Sequence, residues 1–449
     1  MLAGRRRRRR LRRPPLHRPR PRRSGATPRR WCSRRSIRTT GGRRRCATAT
    51  SPRTVRSWSA SARSSSSCSN SSGRRWPARR RQRRRRNAAV SPSRWPALLF
   101  GGALALVAAA CGGASASSTA TPTSTAVPPT ATAVPSPTPV PVTQLLFTGD
   151  LIPARCTLAK IRALGGDFTL PFRPLHDQLA SADITIGTLD ATLSDAGTPF
   201  GCIATFSLAG PAAAVDGLRY AGYDVIANAA NHIKDCGVSS CGDDALLQTD
   251  DNLRVAGIKP AGTGRNLVEA RSPAVVTRNG IAFAFLAYDD IAPYYHATSD
   301  GAGAAPLDPD TIAEDVANAR KVANVVIVVP HWGVEYTTSP SERQRAFARA
   351  AAAAGADMVV GNHPHWVQAH ERIGGTFVAY ALGNFVFDQD WSVETQQGAL
   401  LEATFTGTRL TSMRYIAIRI HDDYQPQLAA PPEAQQILDR IEAASAALP

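Results

Sequence analysis

From Gln144 to the C-terminus, short apolar runs alternate with longer stretches of helical periodicity. The runs are rich in β-branched and aromatic residues and are bounded by Gly, Pro or Asp, which is typical of β-strands. They predict strands at 144–149, 183–187, 224–228, 281–287, 325–329, 357–361, 377–381 and 399–405. Because no helical pattern separates the last two runs, residues 377–405 also predict an antiparallel hairpin.

Apolar residues at helical spacing fill the gaps between most of these runs. They predict helices at 211–221, 243–254, 310–323, 340–354 and 432–447. The start of the fourth helix has a local signal, since Ser339 is placed to cap it, Pro340 to occupy its first turn and Glu342 to complete a capping box. Gly355 is placed to end it. Alternating strands and helices predict an α/β fold for residues 144–449.

Residues 1–94 show no such pattern and consist mostly of Arg, Pro and Ser. Residues 1–100 hold 33 of the 54 Lys and Arg residues and no Asp or Glu. Residues 101–449 therefore hold 21 basic and 34 acidic residues, which gives them a net charge of −13, although the net charge of the whole chain is +20. The tract has three interpretations: a basic disordered arm, a long basic region before a signal peptide, or a start site assigned too far upstream. We favour the third, with a true start near Val90, and exclude residues 1–94 from fold reasoning.

An apolar run at 95–110 follows Arg94 and is too short for a comfortable membrane span, but it suits a signal peptide. It ends in small residues before Cys111, a pattern that resembles a bacterial lipobox, although Ala108 stands where Leu is usual. We expect lipidation of Cys111 and anchoring at the outer face of the cytoplasmic membrane. The alternative is an ordinary secretory signal. The Ser, Thr and Pro content of residues 112–143 predicts an extended linker.

Four cysteines remain in the predicted domain: Cys156, Cys202, Cys236 and Cys241. An even number in an exported domain favours two disulfides, and three pairings are open. We expect a short Cys236–Cys241 loop, with Cys156–Cys202 as the second bond. A zinc site is the alternative, but the usual CxxC spacing is absent.

Polar side chains able to bind metal follow five of the predicted strands. Carboxyl ends of strands are where α/β proteins build their sites, so these groups are expected to converge. Carboxylate, amide and imidazole together suit divalent cations. The residues are Asp150, Asp190, Asn231, His232, His331, His363 and His365.

The sequence resembles the bacterial capsule synthesis (CapA, poly-γ-glutamate) family, a branch of the calcineurin-like metallophosphatase fold. The matching segments are FTGDLI (147–152), ADITIGTLDATLS (182–194), AGYDVIANAANHIKDCG (221–237), AGTGRNLVEA (261–270), VVPHWGVEYTTSPSERQ (328–344), GADMVVGNHPHWVQAHE (355–371) and AYALGNFVFDQ (379–389). The resemblance implies a four-layered α/β/β/α sandwich. It also implies a site for divalent metal ions, two in number, whether Mn, Zn, Fe or Mg.

The same resemblance assigns roles to individual residues. It places Asp150, Asp190, Asn231, His331, His363 and His365 as metal ligands, and His232 near the leaving group. Asp235 is either the residue that orients His232 or a turn residue. Glu335 and Asn384 either contact substrate or hold loops. Thr188-Leu189-Asp190 stands where the family has Asn-Leu-Glu, which puts metal occupancy in question.

Three functions compete on this basis. The family favours synthesis, export or anchoring of an anionic surface polymer, together with polymer-synthesis machinery. The ligand set favours a phosphoesterase that uses metal-activated water. The third is a binding lipoprotein with a vestigial site. The negative charge of residues 101–449 gives no reason to expect nucleic acid as a partner.

Overall fold

Two β-sheets pack face to face in the computed structural model, which describes residues 139–203 and 205–449. The strands in chain order are β1 (Val142–Leu151), β2 (Ile184–Leu189), β3 (Thr192–Leu193), β4 (Ala209–Gly210), β5 (Val225–Ala227), β6 (Lys259–Ala261), β7 (Thr263–Gly264), β8 (Ala274–Arg278), β9 (Ile281–Asp289), β10 (Gly303–Ala304), β11 (Val325–His331), β12 (Met358–Val360), β13 (His370–Ile373), β14 (Thr376–Ala379), β15 (Asn384–Val386), β16 (Gln397–Thr406), β17 (Arg409–His421) and β18 (Gln425–Leu428).

Helices cover the outer faces of the sheets and the ends of the sandwich. They are α1 (Arg155–Ala163), α2 (His176–Ser181), α3 (Val215–Ala221), α4 (Asp244–Val255), α5 (Leu267–Ala270), α6 (Ile312–Arg320), α7 (Glu342–Ala353) and α8 (Pro431–Ala446). Short 3₁₀ turns lie at Arg173–Leu175, Ala212–Ala214, Pro293–Tyr295 and Glu394–Gln396. Within residues 139–203 and 205–449, no helix combines the length and apolar character needed to cross a membrane.

The first sheet has the order β18-β17-β16-β1-β2-β5-β6, with β15 also paired to β1. The second has the order β13-β14-β12-β11-β9-β8. Strands β1, β2, β5 and β6 are parallel to one another, and so are β9, β11, β12 and β14. Each sheet therefore presents several strand carboxyl ends at one edge.

Side-chain alternation along the strands creates the four layers. Leu145 and Phe147 of β1 point into the core between the sheets, where they join Phe283 and Phe285 of β9. Leu146 points to the opposite face, which α2, α3 and the C-terminal part of α4 cover. On the second sheet, α6 and α7 cover the outer face. Since both faces of the central strands are buried, their sequences are continuous apolar runs. The predicted α/β/β/α sandwich is confirmed.

All eight predicted strands are present, but the hairpin predicted at 377–405 is wrong. The first of its strands overlaps β14 of the second sheet, and the other lies within β16 of the first sheet. Between them, β15 runs parallel to β1. The hairpin partner of β16 is instead β17, which follows it along the chain.

The predicted cap of α7 is also wrong. Ser341, not Ser339, caps the helix, because its hydroxyl accepts a hydrogen bond from Gln344 N–H (3.3 Å) and its own N–H donates to Gln344 Oε1 (2.8 Å). The carbonyls of Thr337 and Ser339 accept hydrogen bonds from the Gln368 amide, which holds the preceding segment outside the helix. Gly355 follows the last turn with a φ of +90°, as predicted.

Predictions for 1–94, for 95–111 including Cys111, and for most of the linker at 112–143 lie outside the described residues. The last two residues of that predicted linker, Val142 and Thr143, belong to β1. Among the described residues, both expected disulfides, Cys156–Cys202 and Cys236–Cys241, are present. The alternative of a cysteine zinc site is therefore excluded for these four residues.

Candidate metal centre

Carboxyl ends of strands from both sheets meet at one edge of the sandwich. Asp150 lies at the end of β1 and His331 at the end of β11, while Asp190 directly follows β2. Asn231 comes from the loop after β5, and His363 and His365 from the loop after β12. The structure thus brings together the six residues predicted as ligands.

Contacts among these side chains are close. His331 is central: its Nε2 lies 2.9 Å from Asn231 Oδ1 and 3.6 Å from Asp190 Oδ1, and its Nδ1 lies 3.9 Å from Asp150 Oδ1. His365 Nδ1 lies 3.4 Å from Asp150 Oδ2. The rings of His331 and His363 have centroids 4.9 Å apart.

Several polar atoms of this cluster are buried without a hydrogen-bond partner. They are Asp150 Oδ1, both carboxylate oxygens of Asp190, His331 Nδ1 and His363 Nδ1. A buried polar atom without a partner costs about 1–3 kcal/mol, and more when it is charged. The concentration of such atoms at one place fits a bound cation that supplies the missing interactions. The donor set of imidazole and carboxylate suits a divalent ion.

Two of the histidines are held in the neutral form that binds metal. Burial lowers the pKa of His331 well below its usual range, and the charges of His363, His365 and His232 lower it further. Burial also lowers the pKa of His363 well below its usual range, with help from His365 and His232. Neutral imidazole carries the lone pair that a metal needs. Burial raises the pKa of Asp190 to about 7, and a cation bound beside this carboxylate would lower that pKa again.

The backbone of the loop after β12 is constrained. His363 and His365 have φ values of +98° and +58°, in the left-handed region that residues other than glycine seldom adopt. The His363 N–H donates to Asp150 Oδ2 (3.3 Å), and Asn384 Oδ1 lies 2.9 Å from His365 Nδ1. Unusual φ values persist only where surrounding contacts fix them. These contacts hold both imidazoles toward the centre.

Thr188, the first residue of the Thr188-Leu189-Asp190 segment, supports the same loop. Its hydroxyl accepts a hydrogen bond from the Asn362 side-chain amide (2.7 Å). Asn362 directly precedes His363, so the hydroxyl helps to position a predicted ligand. On the opposite side of β1, a Cβ at Gly149 would lie 2.0 Å from the carbonyl oxygen of Gly383, which explains glycine directly before Asp150.

His232 lies at the mouth of the cluster. Its side chain is 16% exposed, whereas those of Asp150, Asp190 and His331 are at most 1% exposed. Its Nδ1 lies 2.6 Å from Asp235 Oδ2, and that oxygen also accepts a hydrogen bond from Leu208 N–H. Asp235 is thus placed to orient the imidazole, one of the two roles open from the sequence.

The two residues predicted to contact substrate have different surroundings. Glu335 is exposed, and a carboxylate oxygen lies within 4.8 Å of ligand atoms of His363 and His365, as a further metal ligand would. Asn384 is fully buried, and its amide donates to Gln389 Oε1 (3.0 Å) and to the Thr395 carbonyl (2.9 Å). Its contacts favour the loop-holding alternative. The substrate-binding role of both residues stays a prediction.

Sequence reasoning missed a second polar pair beside the cluster. Asp289, at the end of β9, is fully buried and lies opposite His331 in the register of the second sheet. Its Oδ2 lies 3.1 Å from His296 Nε2 and accepts a hydrogen bond from Ala292 N–H. The signal that identified the other residues, a carboxylate at the end of an apolar strand, was present here too.

Arg155 was also missed. Its guanidinium pairs with Asp388, donates to the Thr205 carbonyl (2.8 Å) and lies 4.8 Å from the Phe387 ring centroid. The charge of Arg155 acts on both His232 and Tyr336, so it belongs to the surroundings of the centre.

Comparison with known proteins identifies the family of this chain. Residues 144–389 match the family described as bacterial capsule synthesis protein PGA_cap. The PGA biosynthesis protein CapA of Bacillus subtilis (strain 168) is 36% identical over 187 residues, which are 41% of this chain and 48% of that protein. The capsule biosynthesis protein CapA of Bacillus anthracis is 29% identical over 265 residues, or 58% of this chain and 62% of that protein.

Among solved structures, a hypothetical protein from Thermus thermophilus aligns with a TM-score of 0.38 and 15% identity, covering 62% of this chain and 100% of that one. The chain spans about half to three fifths of the length of the two Bacillus relatives. The family match itself covers more than half of the chain, in one continuous block that contains all six predicted ligands. The chain therefore belongs to the bacterial capsule synthesis protein PGA_cap family.

Proposed function

We propose that the buried cluster binds divalent metal and that the chain works in the synthesis of a capsule or poly-γ-glutamate type of surface polymer. Family membership supports the polymer. The observation that carries the metal is the group of unpartnered buried atoms on Asp150, Asp190, His331 and His363. Asp150, Asp190, Asn231, His331, His363 and His365 would hold the ions, and Glu335 is placed to add a carboxylate.

The reaction proposed at this centre is phosphoester hydrolysis. A divalent cation would supply the Lewis acidity that activates water and offsets negative charge on phosphoryl oxygens. His331 and Asp150 are buried beneath the mouth, so they exclude bulk water from one side of the site. Low water content strengthens every charge interaction there.

His232 is the residue proposed to move a proton. Burial lowers its pKa, but the charge of Asp190 and the hydrogen bond and charge of Asp235 outweigh burial, so the pKa is raised. A carboxylate 2.6 Å from Nδ1 holds that nitrogen as the donor toward Asp235. The proton on Nε2 is then available to the leaving-group oxygen, as general acid catalysis requires.

The proposed location is the outer face of the cytoplasmic membrane, with a lipid on Cys111. The two disulfides support an oxidising compartment, because such bonds seldom persist in a reducing cytosol.

His232→Asn tests the proton role. In the full chain loaded with manganese or zinc, we expect kcat for phosphomonoesters and phosphodiesters to fall by about 100-fold or more. Metal content should stay unchanged, because the substitution leaves the six ligands in place. His421→Asn is the matched control, since His421 is exposed and lies in β17. Equal turnover in wild type and His232→Asn would remove His232 from the mechanism. Bound metal without any turnover would contradict phosphoester hydrolysis and leave only the proposed role in polymer synthesis.

A further inference from the structure

A cleft of about 400 Å³ opens directly beside Asp235, and none of the six proposed metal ligands forms part of its lining. Its volume lies within the range of small-molecule sites, roughly 300–1,000 Å³. Asp235 forms part of its wall and contacts His232. Under the proposed function, Asp235 joins this cleft to His232, the residue proposed to protonate the leaving group.

Two adjacent tyrosines form one wall. Tyr294 and Tyr295 lie on the 3₁₀ turn Pro293–Tyr295, with ring centroids 4.6 Å apart and planes at 73°. Tyr295 packs against the core between the sheets, whereas Tyr294 is 75% exposed. Burial in the fold therefore does not account for the Tyr294 ring. An exposed aromatic ring beside a reaction centre is well suited to stack on a ligand.

Charges in the cleft disfavour an anion. Lys234 is the cation of the wall, and its ammonium group is already committed: it lies 2.7 Å from Asp243 Oδ1, donates to the Ala302 carbonyl (2.7 Å) and lies 5.8 Å from the Tyr295 ring centroid. Asp235 and Asp243 supply two negative charges against this one positive charge. The net charge of the lining is negative, so a polyanion would meet repulsion.

Neutral hydroxyl groups, in contrast, would find partners. Ser239 and Ser240 line the cleft and offer hydroxyls that donate and accept. The Asp243 side chain is 46% exposed, which leaves carboxylate surface free to accept hydrogen bonds. The Cys236–Cys241 disulfide closes the loop that carries both serines, so the polar wall is held in place before a ligand arrives.

We propose that this cleft binds a neutral hydroxylated ring, such as a glycosyl group, attached to the leaving-group oxygen of the phosphoester. The apolar face of such a ring stacks on Tyr294, and its hydroxyls bond to Asp243 and the serines. The assignment of the ring to the leaving group rests on the proposed function. Binding of the ring itself does not require turnover.

The test is a ligand-binding titration of the full chain, measured by saturation-transfer NMR. The probes are methyl α-glucoside, methyl N-acetyl-β-glucosaminide and tri-γ-glutamate. We expect saturation transfer to the ring protons of at least one glycoside, and a roughly 3- to 10-fold rise in its Kd in Tyr294→Ala, the range that loss of one aromatic contact gives. Tyr220→Ala is the matched control, because Tyr220 stacks on His176 in α2, outside the cleft.

Three results would overturn the proposal: no transfer to either glycoside, an unchanged Kd in Tyr294→Ala, or tighter binding of tri-γ-glutamate than of the glycosides. Tyr294-dependent glycoside binding without phosphoester turnover would support the cleft and contradict the phosphoesterase. Phosphoester turnover combined with any of the three overturning results would support the phosphoesterase and contradict ring binding in the cleft.

Discussion

His363→Ala is expected to lower the affinity of the full chain for Mn²⁺ and Zn²⁺ by more than about 100-fold. Loss of a residue that merely supports a ligand costs 10–100-fold in metal affinity, so loss of a ligand should cost more. His363 contributes an unpartnered buried nitrogen and faces His331 across 4.9 Å. The measurement is isothermal titration calorimetry on wild type and variant.

His421→Ala controls for general loss of imidazole, because His421 is exposed on β17. It should leave the affinity unchanged. An affinity of His363→Ala within about threefold of wild type would remove His363 from the ligand set. Glu335 and His365, which lie beside His363, would then be the next residues to test as ligands.

Removal of the Cys156–Cys202 disulfide should lower the free energy of unfolding more than removal of the Cys236–Cys241 disulfide. The bond joins residues 46 apart, and loop-closure entropy in the unfolded chain predicts about 4 kcal/mol for a loop of that length. The Cys236–Cys241 bond joins residues 5 apart, which predicts about 2 kcal/mol. Urea unfolding of the two double alanine variants measures the difference in the free energy of unfolding.

The two variants control for each other, since each removes one disulfide and the same number of sulfur atoms. A larger loss for Cys236→Ala/Cys241→Ala would contradict the entropic argument. It would indicate instead that the short loop beside Asp235 holds native contacts whose loss outweighs the chain entropy.

The sequence predicted the central strands and the positions of the ligands because both depend on local patterns. Strands such as β9 and β11 are buried on both faces, so they are read as apolar runs. Asp150 and His331 then follow from a simple rule, that parallel strands end at a common edge. The disulfide pairing was one of three possibilities, and residue spacing favoured the correct one.

Other features depend on tertiary contacts that local patterns do not contain. Strand β17 begins with a polar half that includes the exposed residues Arg409, Thr411 and Ser412, and its continuous apolar run is limited to residues 415–418. The sequence around α7 contains two overlapping capping boxes, one beginning at Ser339 and one at Ser341. The Gln368 amide, which is distant in sequence, donates a hydrogen bond to the Ser339 carbonyl and so keeps Ser339 outside the helix. Which sheet receives β14 and which receives β16 is likewise fixed by packing. The nearness of Glu335 to His363 and His365 is a property of two separate loops.

The edge where both sheets end is proposed to be a divalent-metal centre. The most direct measurement is the metal content of the purified full chain by elemental analysis, after incubation with manganese, zinc, iron or magnesium and removal of free ions. We expect near-stoichiometric retention of at least one of these metals. No metal above the buffer blank under any of the four conditions would contradict it, and the Thr188-Leu189-Asp190 segment would be the first place to look for the cause.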